Sequence, residues 1–200
     1  MNLLNLKVNY PKGRYNSYLG QIGKIKPNIL NRNFIALKPL EKITTDVTEF
    51  KLPWGKCYLQ CYLDLYNQEI LNYQISKTAE FKYTKRLLDN LIKKYDTHLI
   101  NTIIHSDRGW QYQHPYYQQT IQNHHLIQSM SHKGNCYDNV IIENFFGKLK
   151  IEMFYNREYK YKNFNQFKSA LIKYINYYNH TRIKLNLGYS PVNYRLRQAN

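Results

Sequence analysis

Hydrophobic and polar residues change their spacing along the chain, and these changes predict where strands and helices lie. Three short runs, residues 43–52, 56–67 and 69–76, are rich in Thr, Val, Tyr, Leu and Ile and are separated by proline, glycine or asparagine. Runs of β-branched and aromatic residues between turn residues are typical of adjacent antiparallel strands. We therefore predict a three-stranded meander.

The spacing becomes helical in residues 79–95, where apolar side chains recur every three or four positions with Lys and Arg between them. This pattern predicts an amphipathic helix. A buried strand over 99–107, a helix over 114–125, a short strand over 126–130 and a loop over 131–139 follow. Strands that alternate with helices in this way predict an α/β fold, a mixed sheet with helices packed on its faces.

The helix after the loop is predicted to begin about Asp138, a residue type that favours the N-cap, and to run to about residue 155. A last helix over 163–182 precedes a basic tail. We expect three regions: a basic lead-in over 1–40, a catalytic core over 41–160, and a C-terminal helix and tail over 161–200.

The chain is strongly basic, with 29 Lys plus Arg against 13 Asp plus Glu and a formal net charge of +16. Such an excess attracts polyanions, so nucleic acid is the first candidate partner. The abundance of Lys, Asn, Ile and Tyr has a second explanation, an A/T-rich genome. The sequence predicts no membrane-spanning segment and no signal peptide.

The three cysteines, Cys57, Cys61 and Cys136, lack the paired short spacing of a zinc site. Cys57 and Cys61 lie four residues apart in a predicted strand, so they should point to one face as small buried residues. This cysteine usage fits the cytoplasm better than an oxidising compartment.

Two aspartates stand at places where a carboxylate is unexpected. Asp46 interrupts a β-branched run, and Asp107 lies where a buried strand ends and the chain turns at Gly109. Strand ends are where α/β folds present their site residues. Each aspartate also has an ordinary alternative, an edge-strand residue for Asp46 and an Asx turn for Asp107.

Helical geometry places Glu143 beside the core. One apolar stripe of the predicted helix should face the sheet, and Glu143 is about 100° around from it. Lys150, seven residues later, returns to the same side and could contact DNA phosphate. A solvated glutamate and lysine on an ordinary helix is the alternative. The apolar stripe comprises Ile142, Phe146, Leu149 and Met153.

Taken together, the motifs TTDVTEF, HSDRGWQY and GNCYDNVIIENFFGKLK, with thirty-five residues between Asp107 and Glu143, resemble the DDE catalytic core of retroviral integrases. They are more similar still to OrfB-type insertion-sequence transposases, whose C-terminal signature resembles YNHTRIKLNLGYSPVNYR. The resemblance covers about residues 12–197. Each motif alone is weak evidence, whereas the spaced set is highly specific.

The resemblance implies a ribonuclease-H-like fold and a metal-dependent transposase that cuts and joins DNA strands. It implies that Asp46, Asp107 and Glu143 hold Mg²⁺ or Mn²⁺, with two ions expected, and that Lys150 contacts DNA. It also includes Asp64, which we interpret as structural. Asp138 is interpreted as a helix cap.

Four further residues are candidates for DNA binding or auxiliary roles: Arg108, Lys148, His132 and Lys133. His105 is a candidate proton-transfer group, although packing or hydrogen bonding is at least as common for such histidines. Trp110 and Tyr112 could stack on bases or pack in the core. We list the four basic candidates as predictions only.

The chain departs from the family pattern in places. Ile43 stands where relatives carry Trp, His132 stands where Arg is usual, and the stretch before Ser190 is a residue short. Relatives also have an upstream helix-turn-helix region, which a protein from an upstream reading frame could supply. We expect a homo-oligomer on DNA, associated with the bacterial nucleoid. The alternatives are a truncated, catalytically silent DNA-binding remnant and a ribonuclease H.

Overall fold

The fold is built on one five-stranded sheet in a computed structural model that describes residues 23–134 and 136–198. The expected lead-in is therefore described only from Gly23 onward, and residues 1–22 lie outside the described residues. The strands are β1 (Lys42–Leu52), β2 (Gly55–Asp64), β3 (Ile70–Ser76), β4 (Ile103–Ser106) and β5 (Ile127–Met130).

The strand order is β3-β2-β1-β4-β5, so the sheet is mixed. Strands β1, β2 and β3 pair antiparallel, which confirms the predicted meander. Strands β4 and β5 join parallel to β1 and to each other. Parallel neighbours need crossover connections, and α1 and the helices after β4 supply them.

Helices lie in all four predicted regions. They are α1 (Phe81–Tyr95), α3 (Pro115–Asn123), α4 (Val140–Leu149) and α5 (Phe164–His180). Two short helices were not predicted, α2 (Trp110–Gln113) and α6 (Pro191–Gln198). Tighter 3₁₀ turns span Asp96–Leu99, Cys136–Asn139 and Glu158–Lys160, and a π-helical turn, Lys150–Phe154, continues α4.

The sheet has an apolar cluster on each face. On one face, side chains of β2 that alternate in sequence pack with α4 and α5, as the period of two requires. These are Cys57, Leu59, Cys61 and Leu63. On the other face Tyr62 packs with α1 and α3. The predicted burial of Cys57 and Cys61 is confirmed, and burial raises the pKa of the Cys57 thiol to about 12.

Asp64 ends β2 fully buried. Its carboxylate accepts backbone N–H bonds from Leu40 and Tyr66, both 2.9 Å long. Burial raises its pKa to about 6, although the two N–H groups oppose the shift. These contacts tie the lead-in to the end of β2, as expected of a structural aspartate.

The boundaries proposed at residues 40 and 160 stay a prediction. In the described part of the chain, α5 packs through Phe167 and Leu171 into the same apolar cluster as the sheet. None of the helices described here is long and apolar enough to cross a membrane.

Candidate active site

Asp46 and Asp107 lie side by side on neighbouring parallel strands. Thr45 of β1 pairs with Ser106 of β4, and each aspartate is the next residue along its chain. Adjacent strands are about 4.8 Å apart, so their backbones are close neighbours. The two residues are 61 positions apart in sequence, and the parallel pairing brings them together.

Asp46 faces the helix that carries Glu143. It lies on the same face of β1 as Phe50, which packs in the cluster with α4 and α5. The backbone N–H of Val47 donates to its Oδ1 at 2.7 Å. Burial, then the negative charges of Asp107 and Glu143, raise the pKa of Asp46 well above its ordinary value. Asp46 is therefore not a solvated edge-strand residue.

Asp107 is fixed by the turn that follows β4. The backbone N–H of Gly109 donates to its Oδ1 at 2.8 Å, which is the Asx turn considered from the sequence. A Cβ added at Gly109 would lie 2.9 Å from that same oxygen and 2.5 Å from the side chain of Gln111. A larger residue at this position would therefore displace the Gln111 side chain and crowd the Asp107 carboxylate.

Glu143 lies in the first turn of α4 and its side chain is exposed. The predicted apolar stripe is buried beneath it: Ile142, Phe146, Leu149 and Met153. Partial burial and the charge of Asp107 raise the pKa of Glu143. Because Glu143 acts electrostatically on Asp46 as well, the three carboxylates influence one another across one site.

Lys150 lies beside the same carboxylates. It begins the π-helical turn after α4, a geometry frequent at functional sites. Its Nζ lies 5.3 Å from the centre of the Phe50 ring. Burial lowers the pKa of Lys150, and the charges of Asp46 and Glu49 oppose that shift. Lys150 is thus half-buried beside Asp46.

Three mutually repelling carboxylates offer the hard oxygen donors that Mg²⁺ and Mn²⁺ prefer. Two of them, Asp46 and Asp107, are oriented by backbone N–H groups, and Glu143 is on a helix at the surface. As placed, no three or more His, Cys, Asp or Glu side chains within residues 23–134 and 137–198 form a ready-made metal site.

Tyr112, predicted either to stack on bases or to pack in the core, lies beneath the aspartates. Its ring is fully buried, and its hydroxyl is 3.4 Å from Thr45 Oγ1 and 3.3 Å from Gln60 Nε2. Burial, then the charges of Asp46 and Asp107, raise its pKa well above the ordinary value. Tyr112 is a core residue, so its ring is not available to stack on a base.

The loop before α4 is held internally by two of the predicted DNA-binding residues. The Arg108 Nε donates to the carbonyl of Ser131 at 2.8 Å. The backbone N–H of His132 donates to Asp138 Oδ2 at 2.9 Å, and its Nδ1 lies 2.9 Å from the same oxygen. Gly134, near the middle of the loop, has φ of 72°, a left-handed conformation that favours glycine.

The prediction that Asp138 caps the helix is wrong. Asn139 is the N-cap residue of α4, and neither side chain caps the helix. The Asp138 carboxylate instead accepts bonds from Asn28, Arg32 and His132. The Asn139 side chain accepts from Thr44 on β1. Tertiary partners therefore replace the local cap that the sequence favours.

The remaining candidates differ in exposure. Lys133 and Lys148 are exposed, as DNA contacts must be. His105 is fully buried, with Nδ1 2.8 Å from Ser129 Oγ, and burial lowers its pKa to about 4. The half-buried Trp110 ring lies 6.3 Å from that of Phe81. These four roles stay predictions.

Comparison with protein families agrees with the resemblance of the motifs. The profile of a family described as "Integrase core domain" matches residues 36–136, which include Asp46 and Asp107. A second profile of the same description matches residues 143–198, which begin at Glu143. The two matches together cover most of the chain.

Curated relatives extend over nearly the whole chain. The chain is 43% identical over 196 residues to the transposase InsK for insertion sequence element IS150 of Escherichia coli K12, covering 98% of this chain and 68% of that protein. It is 42% identical over 201 residues to a transposase-like protein of Haemophilus influenzae, covering 100% of this chain and 91% of that protein.

Solved structures share the fold at low sequence identity. The HTLV-2 integrase catalytic core domain in complex with magnesium superposes with a TM-score of 0.63 at 16% identity, covering 80% of this chain and 98% of that one. A simian T-cell lymphotropic virus intasome chain gives 0.69 at 16% identity, covering 94% and 60%. The ribonuclease-H-like fold is therefore confirmed. By sequence and by fold, the chain belongs to the integrase core family, among the insertion-sequence transposases.

Proposed function

We propose that this chain cleaves and joins DNA strands in transposition with divalent metal ions held by Asp46, Asp107 and Glu143. The observation that carries the proposal is the electrostatic proximity of these three carboxylates where β1 pairs with β4: Asp107 and Glu143 raise the pKa of Asp46, and Asp107 raises the pKa of Glu143. Carboxylates that repel one another are stabilised by a cation between them. The family membership supports the same activity.

The donor set fits Mg²⁺ or Mn²⁺, and two ions are proposed because phosphodiester transfer uses paired metals about 3.5–4 Å apart. The magnesium in the HTLV-2 integrase core supports this choice. When bound, the ions supply Lewis acid stabilisation of the phosphate and an activated nucleophile. Asp46 and Asp107 present oxygens fixed by backbone N–H groups, and the exposed Glu143 side chain closes the site.

Two chemical steps follow from this arrangement. A water oxygen bonds to phosphorus at the element end, and the bond to the 3′ oxygen breaks to release a 3′-hydroxyl. That hydroxyl then attacks a phosphorus of the target strand and displaces its 3′ oxygen. This second step forms one phosphodiester bond and breaks one, and the proton of the attacking hydroxyl passes to the released 3′ oxygen. Lys150 lies close enough to Asp46 to balance charge in the site and to contact a phosphate.

DNA is the proposed partner, and the net charge of +16 would attract it. Exposed Lys133 and Lys148 are proposed to contact the DNA backbone. Arg108 and His132 are proposed to hold the loop before α4, which carries Lys133. We also propose that the chain acts as an oligomer on DNA, as the intasome neighbour suggests, and that it does so at the bacterial nucleoid. A helix-turn-helix protein from an upstream reading frame is the proposed source of end recognition.

The test is a strand-transfer assay with oligonucleotides carrying the terminal repeats that flank this gene. The protein should release a 3′-hydroxyl and join it to target DNA with Mg²⁺ or Mn²⁺. Asp46→Asn, Asp107→Asn and Glu143→Gln should each lower the rate by roughly 100-fold or more. The exposed Asp96→Asn serves as control and should retain activity.

Three outcomes contradict the proposal. Loss of nicking and joining under all conditions, even with the helix-turn-helix protein added, would leave a silent DNA-binding remnant. Cleavage of an RNA–DNA hybrid without any joining would instead indicate a ribonuclease H. Equal activity of wild type and the three variants would show that another group performs the chemistry.

A further inference from the structure

A buried carboxylate joins two distant parts of the chain next to the site. The Asp138 side chain is 1% exposed, and its oxygens lie 2.9–3.0 Å from donors of Arg32, Asn28 and His132. Arg32 and Asn28 precede Asp138 by 106 and 110 residues. A buried carboxylate that loses its partners is strongly destabilising, so these contacts hold Asp138 in place.

The residues around Arg32 form a strap, defined here as residues 26–32, along β5 at the edge of the sheet. The backbone N–H groups of Ile29 and Leu30 donate to Ser129 Oγ at 2.9 and 3.0 Å. The N–H of Met130 donates to the Pro27 carbonyl at 3.2 Å. The strap thus covers the exposed edge of β5 and fixes the position of Arg32.

The residues that follow Asp138 connect it to Glu143. Asp138 is followed by Asn139, whose side-chain oxygen accepts a hydrogen bond from Thr44 on β1. Asp46 lies two residues beyond Thr44 on the same strand face, and Glu143 lies about one turn after Asn139. Movement of Asp138 would therefore change the position of Glu143 relative to Asp46.

We propose that Asp138 is a positioning residue: clamped by the strap through Arg32 and Asn28, it sets the place of Glu143 and so the affinity of the site for metal. This inference rests on the proposed function, because it takes Glu143 as a metal ligand. Asp138 does not bind the metal itself, since both of its oxygens already accept hydrogen bonds.

The clamp, which consists of the contacts of Asp138 with Asn28, Arg32 and His132, has an exposed side and a buried side. Arg32 and His132 are 54% and 60% exposed, whereas Asp138 is buried. A substitution at Arg32 can therefore weaken the clamp without opening a cavity in the core. Arg32→Lys keeps the positive charge, so it should retain part of the metal affinity that Arg32→Gln loses.

The experiment is Mn²⁺ binding to the whole chain by isothermal titration calorimetry without DNA, alongside thermal unfolding in a chelator. Asp138→Asn should raise the dissociation constant for Mn²⁺ about 10-fold, because loss of a group that orients metal ligands weakens metal binding. Arg32→Gln should raise it several-fold. Arg32→Lys should lie between Arg32→Gln and wild type. Arg86→Gln, an exposed arginine on α1, is the matched control and should bind as wild type.

An unchanged dissociation constant in folded Arg32→Gln would overturn the inference, whatever happens to thermal stability. If Asp138→Asn does not fold, Arg32→Gln and Asn28→Ala decide the question. Failure of wild type to bind Mn²⁺ would contradict the proposed metal site itself. Wild-type binding with unaffected clamp variants would contradict only the positioning role of Asp138.

Discussion

The side chain of Thr44 on β1 donates a hydrogen bond to the side-chain oxygen of Asn139 at the start of α4. Both residues are buried, and each is near a carboxylate of the candidate site in sequence, Thr44 near Asp46 and Asn139 near Glu143. This bond therefore joins the two elements that carry those carboxylates. Its loss should affect the site more than the fold.

Thr44→Val tests this connection, because valine keeps the shape of threonine and removes the hydroxyl. The Asn139 oxygen would lose its donor in a buried position, which costs about 1–3 kcal/mol of unfolding free energy. Urea denaturation measures that loss, and the strand-transfer rate should fall with it. Thr48→Val, at a buried position on the same strand, is the matched control and should retain the rate. Equal effects of both variants would contradict a specific role for the Thr44 bond.

Removing one site carboxylate should stabilise the metal-free protein. Burial and the charges of Asp107 and Glu143 raise the pKa of Asp46 in the fold, so its ionised form destabilises the folded state at neutral pH. Asp46→Asn should therefore raise the melting temperature in EDTA and abolish the further rise that Mg²⁺ gives wild type. Differential scanning calorimetry with and without Mg²⁺ measures both effects.

Asp64→Asn provides the comparison for that experiment. Asp64 is also buried with a raised pKa, but its carboxylate accepts backbone N–H bonds from Leu40 and Tyr66. An asparagine offers one oxygen, and its amide NH₂ would face the other backbone N–H, so this substitution should lower the melting temperature and preserve the Mg²⁺ effect. A similar response of the two variants would show that Asp46 is structural as well.

The site should lose metal as the pH falls. Protons compete with metal for carboxylates, and the raised pKa values of Asp46 and Glu143 bring that competition closer to neutral pH. In the metal-free protein the same protonation removes repulsion, so these two groups destabilise the fold less as the pH falls through their raised pKa values. Calorimetric Mn²⁺ titrations at decreasing pH should show weakening affinity. An affinity independent of pH would contradict this account of the site.

Gly109→Ala should displace Asp107. The added Cβ would lie 2.9 Å from Asp107 Oδ1 and 2.5 Å from the Gln111 side chain, so the Gln111 side chain and the Asp107 carboxylate must move. We expect strand transfer to fall by roughly 10-fold or more, because small displacements of reacting groups are costly. Gly147→Ala, where a Cβ meets open space within α4, should instead raise helix stability by up to about 1 kcal/mol. Retained activity of Gly109→Ala would argue against a fixed position for Asp107.

The Asp138 clamp predicts acid sensitivity. Although burial opposes it, bonds from His132 and Arg32 lower the pKa of Asp138 to about 2. A carboxyl with a lowered folded pKa stabilises the fold above its unfolded value near 4, and that contribution is lost as the pH falls toward 2. Acid unfolding of wild type should therefore be steeper between pH 4 and 2 than that of Asp138→Asn. Identical profiles would show that the Asp138 carboxylate contributes nothing.

Local patterns predicted the elements that local physics controls. Runs of β-branched and aromatic residues between turn residues identified β1, β2 and β3, and the helical stripe from Ile142 to Met153 placed Glu143 beside the core. The four residues of α2 are too few to show a helical period, so no pattern in the sequence indicated that helix.

Contacts across long sequence distances were beyond such patterns. Asp138 is of a residue type that favours a local helix cap, but its partners Asn28 and Arg32 are over one hundred residues away in sequence. Tyr112 ends the HSDRGWQY motif, yet only the packing of the sheet shows its hydroxyl beneath Asp46 and Asp107. The nearness of those two aspartates likewise depends on parallel pairing of β1 with β4, which sequence spacing alone does not determine.

Anomalous X-ray scattering from a crystal grown with Mn²⁺ tests most directly whether three carboxylates share metal. We predict anomalous peaks bounded by Asp46, Asp107 and Glu143, with two peaks about 3.5–4 Å apart when DNA is present. Ordered carboxylates without any anomalous peak between them, in a crystal of protein active in strand transfer, would contradict the account.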